Sequence, residues 1–518
     1  MAGLATAEQI ALSGEPDRTA PAHLRHADPL ERRLHLLVAS GGDERIWHDP
    51  ATGRTRYATT LTPAPDELWF SSSTASAISE RGYRAALADL HALFGRGRRM
   101  PLPVEDWVGA LKAELLVLFG RPRAEAVLAA SGTDAELVAL AITERLLRRP
   151  ITNIVVAPNE TGSGVCKAAG GRHFLSTSCL GGPAAIGAPL DGWEKADIEV
   201  AGVDIRTGAG EPRDPRAVDA EVAHLAERAL ARGRGVLLHV LDTSKTGLAG
   251  LSRDIASQIA ASAPDRVLVM VDACQLRCPA DRLRTDIDRG FMVLVTGSKF
   301  AGGPPLCGAL LLPSSIVAAL QSATPAPRGL ADYSARLDWP EALQATFAAP
   351  MTTTSNLGAG LRWSAALAEL RQLAAVRPGV HAQVLACFAE EVRTAASTVP
   401  RIALLADRAH GFAPHPTIVP FAITRGDGTF MSAAEMAGAQ AALRTPLDGP
   451  PAARERIHVG QAVQLGPRAV LRVCASAPHV NAVADRMAGG ASFETAFAPL
   501  RGDIHALFAK LAHMLAGD

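Results

Sequence analysis

The stretch "VLVTGSKFAGGPPLCGALLLP", residues 293–313, decides how this chain is read. An apolar run closes in Thr296, Gly297, Ser298 and Lys299, and small residues with two prolines lead into a second apolar run. Runs this short, β-branched and unbroken by polar alternation are those of strands covered on both faces. A lysine set among glycines at such a strand end has two readings. Its stem lies on apolar surface while the ammonium reaches water, or its amine serves the ligand site that open α/β sheets build beyond the carboxyl ends of their strands.

The neighbouring runs extend the pattern. Between residues 125 and 315, "AEAVLAAS", "NIVVAP", "GVLLHVLD", "RVLVMVDA", "FMVLVTGS" and "GALLLP" alternate with helical stretches, which predicts an α/β domain with a mostly parallel sheet. Residues 1–70, rich in Pro, Ala, Arg and His, read as an N-terminal arm, and 71–345 as the large domain. Residues 346–518, with "TIVPFAI" and "AVLRVCAS" as strands, read as a smaller α+β domain. At 518 residues the chain is long enough for two or three domains at roughly 150 residues each.

Charge and composition narrow the partners. Lys plus Arg and Asp plus Glu number 52 each, so no overall field gathers nucleic acid or an anionic membrane. No apolar run approaches the about 20 residues of a membrane span, and the N-terminus lacks the succession of a secretory signal. A cytoplasmic location is expected. Seven scattered cysteines suit reduced thiols, and Cys274 and Cys278 have no second pair to complete a metal site.

The residues just after each apolar run form a set. "SGTDAE", Ser131 to Glu136, opens a helix, where free backbone N–H groups and the helix dipole favour a phosphate; an ordinary N-cap would look the same. Asp272 ends another strand, and a buried carboxylate needs a partner. Lys299 follows 27 residues later, room for one helical crossover. A phosphate cradle, an aspartate and a strand-end lysine are the parts that hold pyridoxal phosphate: the lysine forms a Schiff base with the aldehyde, and the aspartate keeps the pyridine nitrogen protonated.

"SGTDAE", "VDACQ" and "TGSKFAGGPPLCG", in this order, resemble the fold-type I pyridoxal-phosphate enzymes, and the Asp-x-x-Gln form is similar to class V aminotransferases and their cysteine desulfurase and kynureninase relatives. The resemblance implies a large domain with a seven-stranded-type sheet, a smaller C-terminal domain, and a homodimer with shared active sites. It implies Lys299 as the Schiff-base lysine, Asp272 on the pyridine nitrogen and Gln275 on the phenolic oxygen. Ser131, Gly132, Thr133, Thr296 and Ser298 would line the phosphate, and Ser244 would offer a hydroxyl. Thr353 and Thr354 would reach the phosphate of the opposite subunit, and Arg472 would grip the substrate carboxylate through two hydrogen bonds.

The chain also departs from that pattern. "DTSKTG", residues 242–247, places Lys245 where relatives carry Asn or hydroxyl residues; it reads as a solvated loop lysine or as a second active-site cation, and it is the runner-up to Lys299 as Schiff-base lysine, against which its position before the Asp motif speaks. After "NIVVAP" no ring occurs until His173, so either a non-aromatic residue such as Asn159, Glu160 or Thr161 would cover the cofactor or an aromatic would come from elsewhere in the chain. Between 430 and 470 there is no cysteine, and Cys474 lies two residues past Arg472, which disfavours sulfur abstraction. His458 and Gln461 have two readings, a solvent-facing turn or residues that face the substrate. The expected activity is amino-group transfer on an amino-acid-like small molecule, with a lyase or a β- or γ-substitution synthase as the alternative. A non-catalytic sensor built on the same fold would need a basic DNA-reading helix that the arm does not offer.

Overall fold

The computed structural model describes residues 28–49, 51–95, 100–120, 123–405 and 415–516; positions 1–27 of the expected arm lie outside them. Its twelve strands of three residues or more are, in chain order, β1 Glu67–Phe70, β2 Ala124–Ala129, β3 Ile151–Val156, β4 Ile198–Val203, β5 Gly235–Leu241, β6 Val267–Ala273, β7 Met292–Thr296, β8 Gly308–Pro313, β9 Ile402–Leu404, β10 Ile418–Ile423, β11 Arg456–Leu465 and β12 Arg468–Cys474. Seven of them form one sheet in the order β2-β8-β7-β6-β5-β3-β4. All are parallel except β8, which runs against both β2 and β7. The mostly parallel sheet of the α/β reading is thus present.

The alternation of side chains along these strands explains the two layers of helices. Ala126, Leu128, Val293, Val295, Ala309 and Leu311 enter one core, with the helices Glu80–Phe94, Val104–Leu118, Pro215–Ala231 and Leu357–Ala375. Their neighbours Val127, Ala129, Met292, Leu294, Leu310 and Leu312 enter the other, against the helix Gly132–Leu147. Each Val, Leu or Met among them contributes roughly 1.5–3 kcal/mol on leaving water, and each Ala about a third of that. A strand apolar at every position is what a sheet covered on both faces requires.

The second sheet runs β1-β11-β12-β10-β9, with its core on the helices Pro378–Ser397, Ala477–Ala488 and Phe493–Ala516. Two expectations about the chain's ends change here. The stretch expected as an arm supplies the helix Pro29–Ala39 to the large domain's core and β1 to the small sheet, where β1 pairs in parallel with β11. "IHVGQAVQL", expected as a turn, is the long strand β11, because Ile457, Val459, Val463 and Leu465 alternate inward. A bulge between Gly460 and Val463 breaks its register with β12. Among the described residues, no helix is long and apolar enough to cross a membrane.

Candidate active site

The carboxyl ends of β2, β3, β5, β6 and β7 open on one cavity, at the point where the strand order reverses between β5 and β3. Lys299 lines it three residues beyond Thr296, the last residue of β7. The small residues around this lysine have a packing cause. A Cβ on Gly297 would stand 2.5 Å from Ala366 Cβ, and one on Gly303 2.7 Å from the same methyl, so only glycine lets the loop press against the helix Leu357–Ala375. Ser76 clamps the other side: its N–H donates to Ser298 O at 3.0 Å and its hydroxyl to Lys299 O at 2.8 Å. The lysine's backbone is fixed by both contacts, and no hydrogen bond or ion pair engages its amine among the described residues.

Asp272, at the end of β6, lines the same cavity as Lys299. Its Oδ1 accepts the N–H of Cys274 at 3.0 Å. Behind it, burial alone would depress the His239 imidazole, but the Glu136 carboxylate 3.2 Å away overrides this and raises its pKa. Gln275 also faces the cavity, with both polar ends engaged: its amide N donates to Ser73 O at 3.0 Å, and its oxygen accepts from Arg277 Nε at 3.3 Å.

The helix Gly132–Leu147 begins at the cavity wall with Ser131 as N-cap. The Ser131 hydroxyl donates to Asp134 and accepts from Arg45 Nη2 at 3.0 Å, and the Thr296 hydroxyl donates to Cys274 O at 2.6 Å. Their protons are therefore committed. What remains for an anion is the first N–H groups of the helix and the hydroxyls of Thr133 and Ser298, all at the cavity. A Cβ on Gly132 would meet Cys274 Sγ at 2.6 Å, so glycine is required at this approach.

The opposite side of the cavity is cationic. Arg472 lies on β12, a central strand rather than an edge, and is 1% exposed. Its Nη2 donates to Thr74 Oγ1 at 2.8 Å, while Nε and Nη1 are buried without a partner. Burial pushes its pKa down to about 10. Gly460, its cross-strand neighbour, leaves the room: a Cβ there would sit 2.6 Å from Arg472 Nε. Thr74 Oγ1 also accepts the N–H of Gln461 at 3.1 Å, so its own proton is free to be donated elsewhere. Lys245 lines the cavity from the loop after β5, and its pKa falls to about 8 through burial and the nearby charges of Arg472 and Lys299, against the pull of Glu160.

No protein-family model and no curated protein sequence matches the chain. Solved structures do. A tryptophan decarboxylase of Catharanthus roseus in complex with L-tryptophan superposes at a TM-score of 0.54 and 13% identity, over 90% of this chain and 86% of that one. The TDC of Oryza sativa with PLP gives 0.51 and 14%, over 87% and 84%. A cysteine desulfurase from Thermococcus onnurineus NA1 gives 0.52 and 12%, over 87% and 95%. The chain has the fold of the fold-type I pyridoxal-phosphate enzymes. Identities this low fix the fold and leave the reaction to the site itself.

Within that fold-type I frame, most of the sequence-predicted residues meet in one place. Lys299, Asp272, Gln275, Ser131, Gly132, Thr133, Thr296 and Ser298 all line the cavity, and Arg472 reaches its edge through Thr74. Ser244 does not line it: its hydroxyl, 1% exposed, donates to Glu160 at 2.8 Å, and Thr246 is held by the same carboxylate. The strand-end loop turns Thr243 and Lys245 inward instead. Thr353 and Thr354 stand outside this chain's cavity, where their carbonyls accept the N–H groups of Arg336 and Leu337, both at 2.9 Å. His173 bonds the Tyr333 hydroxyl at 2.7 Å, away from the cavity. Glu160, Thr161, Gly162 and Ser163 occupy the wall after β3.

Several cavity residues escaped the sequence reading. Arg45 and Tyr57 arrive from the expected arm, Arg45 held by Asp43 through two bonds of 2.8 and 2.6 Å. Thr74 follows β1 in "SSSTAS", a run of hydroxyls after an apolar "LWF". The strand-end logic applied to the large sheet would have found it had β1 been recognised as a strand. Of the pair read as either solvent-facing or substrate-facing, Gln461 enters the cavity from the β11 bulge, whereas His458 does neither: it is 3% exposed, stacked on Trp69 and bonded to Glu67 at 2.7 Å.

Proposed function

We propose that this protein is a pyridoxal-phosphate enzyme that binds its cofactor through Lys299 and transfers the amino group of an amino-acid-like substrate. The observation that carries the reading is that Lys299 and Asp272, from neighbouring strands β7 and β6, face one cavity beside an anion-receptive helix N-terminus. The donor set fits the group: a strand-end amine, a carboxylate for a ring nitrogen, helix N–H groups with two hydroxyls for a phosphate, and a buried guanidinium with two idle N–H groups for a carboxylate. Bound pyridoxal phosphate supplies an aldehyde that captures the substrate amine and a ring that takes up the electron pair released at the α-carbon.

The chain's own groups do the rest. Lys299 would hold the cofactor covalently and, as a free amine, would serve as the general acid and base that moves the substrate's α-proton. Asp272 keeps the ring nitrogen protonated, which makes the ring an electron acceptor. Arg472 holds the α-carboxylate in the plane its strand dictates, and the Thr74 hydroxyl, already an acceptor from Arg472 and Gln461, has its proton to give to the same group.

A clamped α-carboxylate is retained rather than expelled, and this favours chemistry at the α-hydrogen over loss of carbon dioxide. Elimination or substitution at the β- or γ-carbon begins with the same proton and is the second reading. A panel of amino acids and keto acids separates them. Amino-group transfer would yield a keto acid and leave the pyridoxamine form, which a second keto acid would return to the pyridoxal form as it takes up the amino group. Ammonia with a released side-chain group would point to the lyase, and carbon dioxide would contradict the role given to Arg472.

A further inference from the structure

The cavity carries one more cation than an amino acid with a neutral side chain would use. Lys299 is committed to the cofactor and Arg472 to one carboxylate. Lys245 remains, lining the cavity with no hydrogen bond or ion pair to its ammonium among the described residues. The nearby acids are already satisfied. Glu160 accepts from Arg206 Nε at 2.5 Å, from Ser244 Oγ at 2.8 Å and from Thr246. Glu136 accepts from Asn153 Nδ2 at 3.0 Å and faces His239.

Lys245 follows β5, the strand beside β6 and its Asp272, and lines the same cavity as Lys299 and as Thr74, whose hydroxyl accepts from Arg472. Three cations thus stand around the space a substrate would fill, and the charges of Arg472 and Lys299 both act to lower the Lys245 pKa. The Lys245 N–H donates to Glu160 O at 3.0 Å, which ties its backbone to the wall after β3. Burying an ammonium beside two other cations is unfavourable unless an anion arrives to meet it.

We propose that Lys245 receives a second anion, so that the substrate is an amino acid whose side chain itself ends in a carboxylate. The inference rests on the reading that gives Lys299 to the cofactor and Arg472 to the α-carboxylate. Lys245 is then the residue that selects the substrate, and Arg472 the one that orients it.

The test uses the purified protein loaded with pyridoxal phosphate and inert acids in place of substrate. Succinate, glutarate and adipate are titrated against butyrate, valerate and hexanoate, with binding read by calorimetry and by the visible band. The wild type should bind the best dicarboxylate at least about tenfold more tightly than the matching monocarboxylate, the worth of one well-formed buried ion pair. Lys245→Gln should abolish that preference while leaving monocarboxylate binding in place, and Lys245→Arg should retain it. Equal affinity of the wild type for both series, or a preference that survives Lys245→Gln, would overturn the inference alone. A wild type that stays colourless with pyridoxal phosphate would overturn it together with the cofactor reading.

Discussion

The two sides of the cavity are built on different terms. On the β2, β6 and β7 side, the polar groups already have partners in the protein: Ser131 has Asp134, Asp272 the N–H of Cys274, Thr296 the carbonyl of Cys274. On the β3, β5 and β12 side, the cations meet no acid of their own, and Arg472 is steadied by Thr74, 398 residues earlier in the chain. The first side is a finished socket for a constant guest. The second is an incomplete charge pattern that a substrate has to complete, and its cations stay charged only at the expense of burial.

The largest effect that would break this contrast lies in the socket. Lys299→Ala should lower turnover by at least about a thousandfold, since both the covalent link and the proton carrier are lost, as a steady-state assay with the identified amino donor would read. Asp272→Asn should retain the cofactor and lose about a hundredfold or more in turnover; near-normal activity would show that the ring does not depend on it.

Changes on the cationic side should act on affinity. Arg472→Gln should weaken inert carboxylates about a hundredfold, because a buried charge-assisted pair is removed. Gly460→Ala should weaken them in the same direction through displacement of the guanidinium, with the cofactor band unchanged. Thr74→Ala, which removes one hydrogen bond worth about 1 kcal/mol, should cost about fivefold.

pH sharpens the comparison further. Lys245 titrates at about 8, below the ordinary lysine range, and it is the charged form that binds an anion. Dicarboxylate affinity should therefore be full below pH 8 and fall as pH rises through that value, with Lys299, Arg472 and Glu160 as the charged groups facing it. Monocarboxylate affinity should stay level over the same range, since Arg472 at about 10 remains protonated.

The same contrast explains what the sequence could tell. The seven-stranded sheet was legible because each of its strands is a continuous apolar run, and the groups at the ends of those runs fall next to one another without further information. Lys299, Asp272 and the helix after Ser131 belong to this class. The cationic side was legible only in part: the resemblance named Arg472, but Thr74, from the turn after β1, and Gln461, on β11, come from elsewhere in the chain, and nothing in the spacing announces that the three touch. Lys245 was visible but ambiguous: a lysine flanked by serine and threonine reads as solvated until the fold turns the loop inward. Ser244 was misdirected for the complementary reason, because its neighbour Glu160 needed a donor and took its hydroxyl.

The most direct test of the central claim is reduction of the pyridoxal-phosphate-loaded protein with borohydride, followed by mass mapping of the modified peptide. The account predicts a visible band that reduction bleaches and a phosphopyridoxyl group on Lys299 alone. A label on Lys245, or a protein that takes up no cofactor at all, would contradict it.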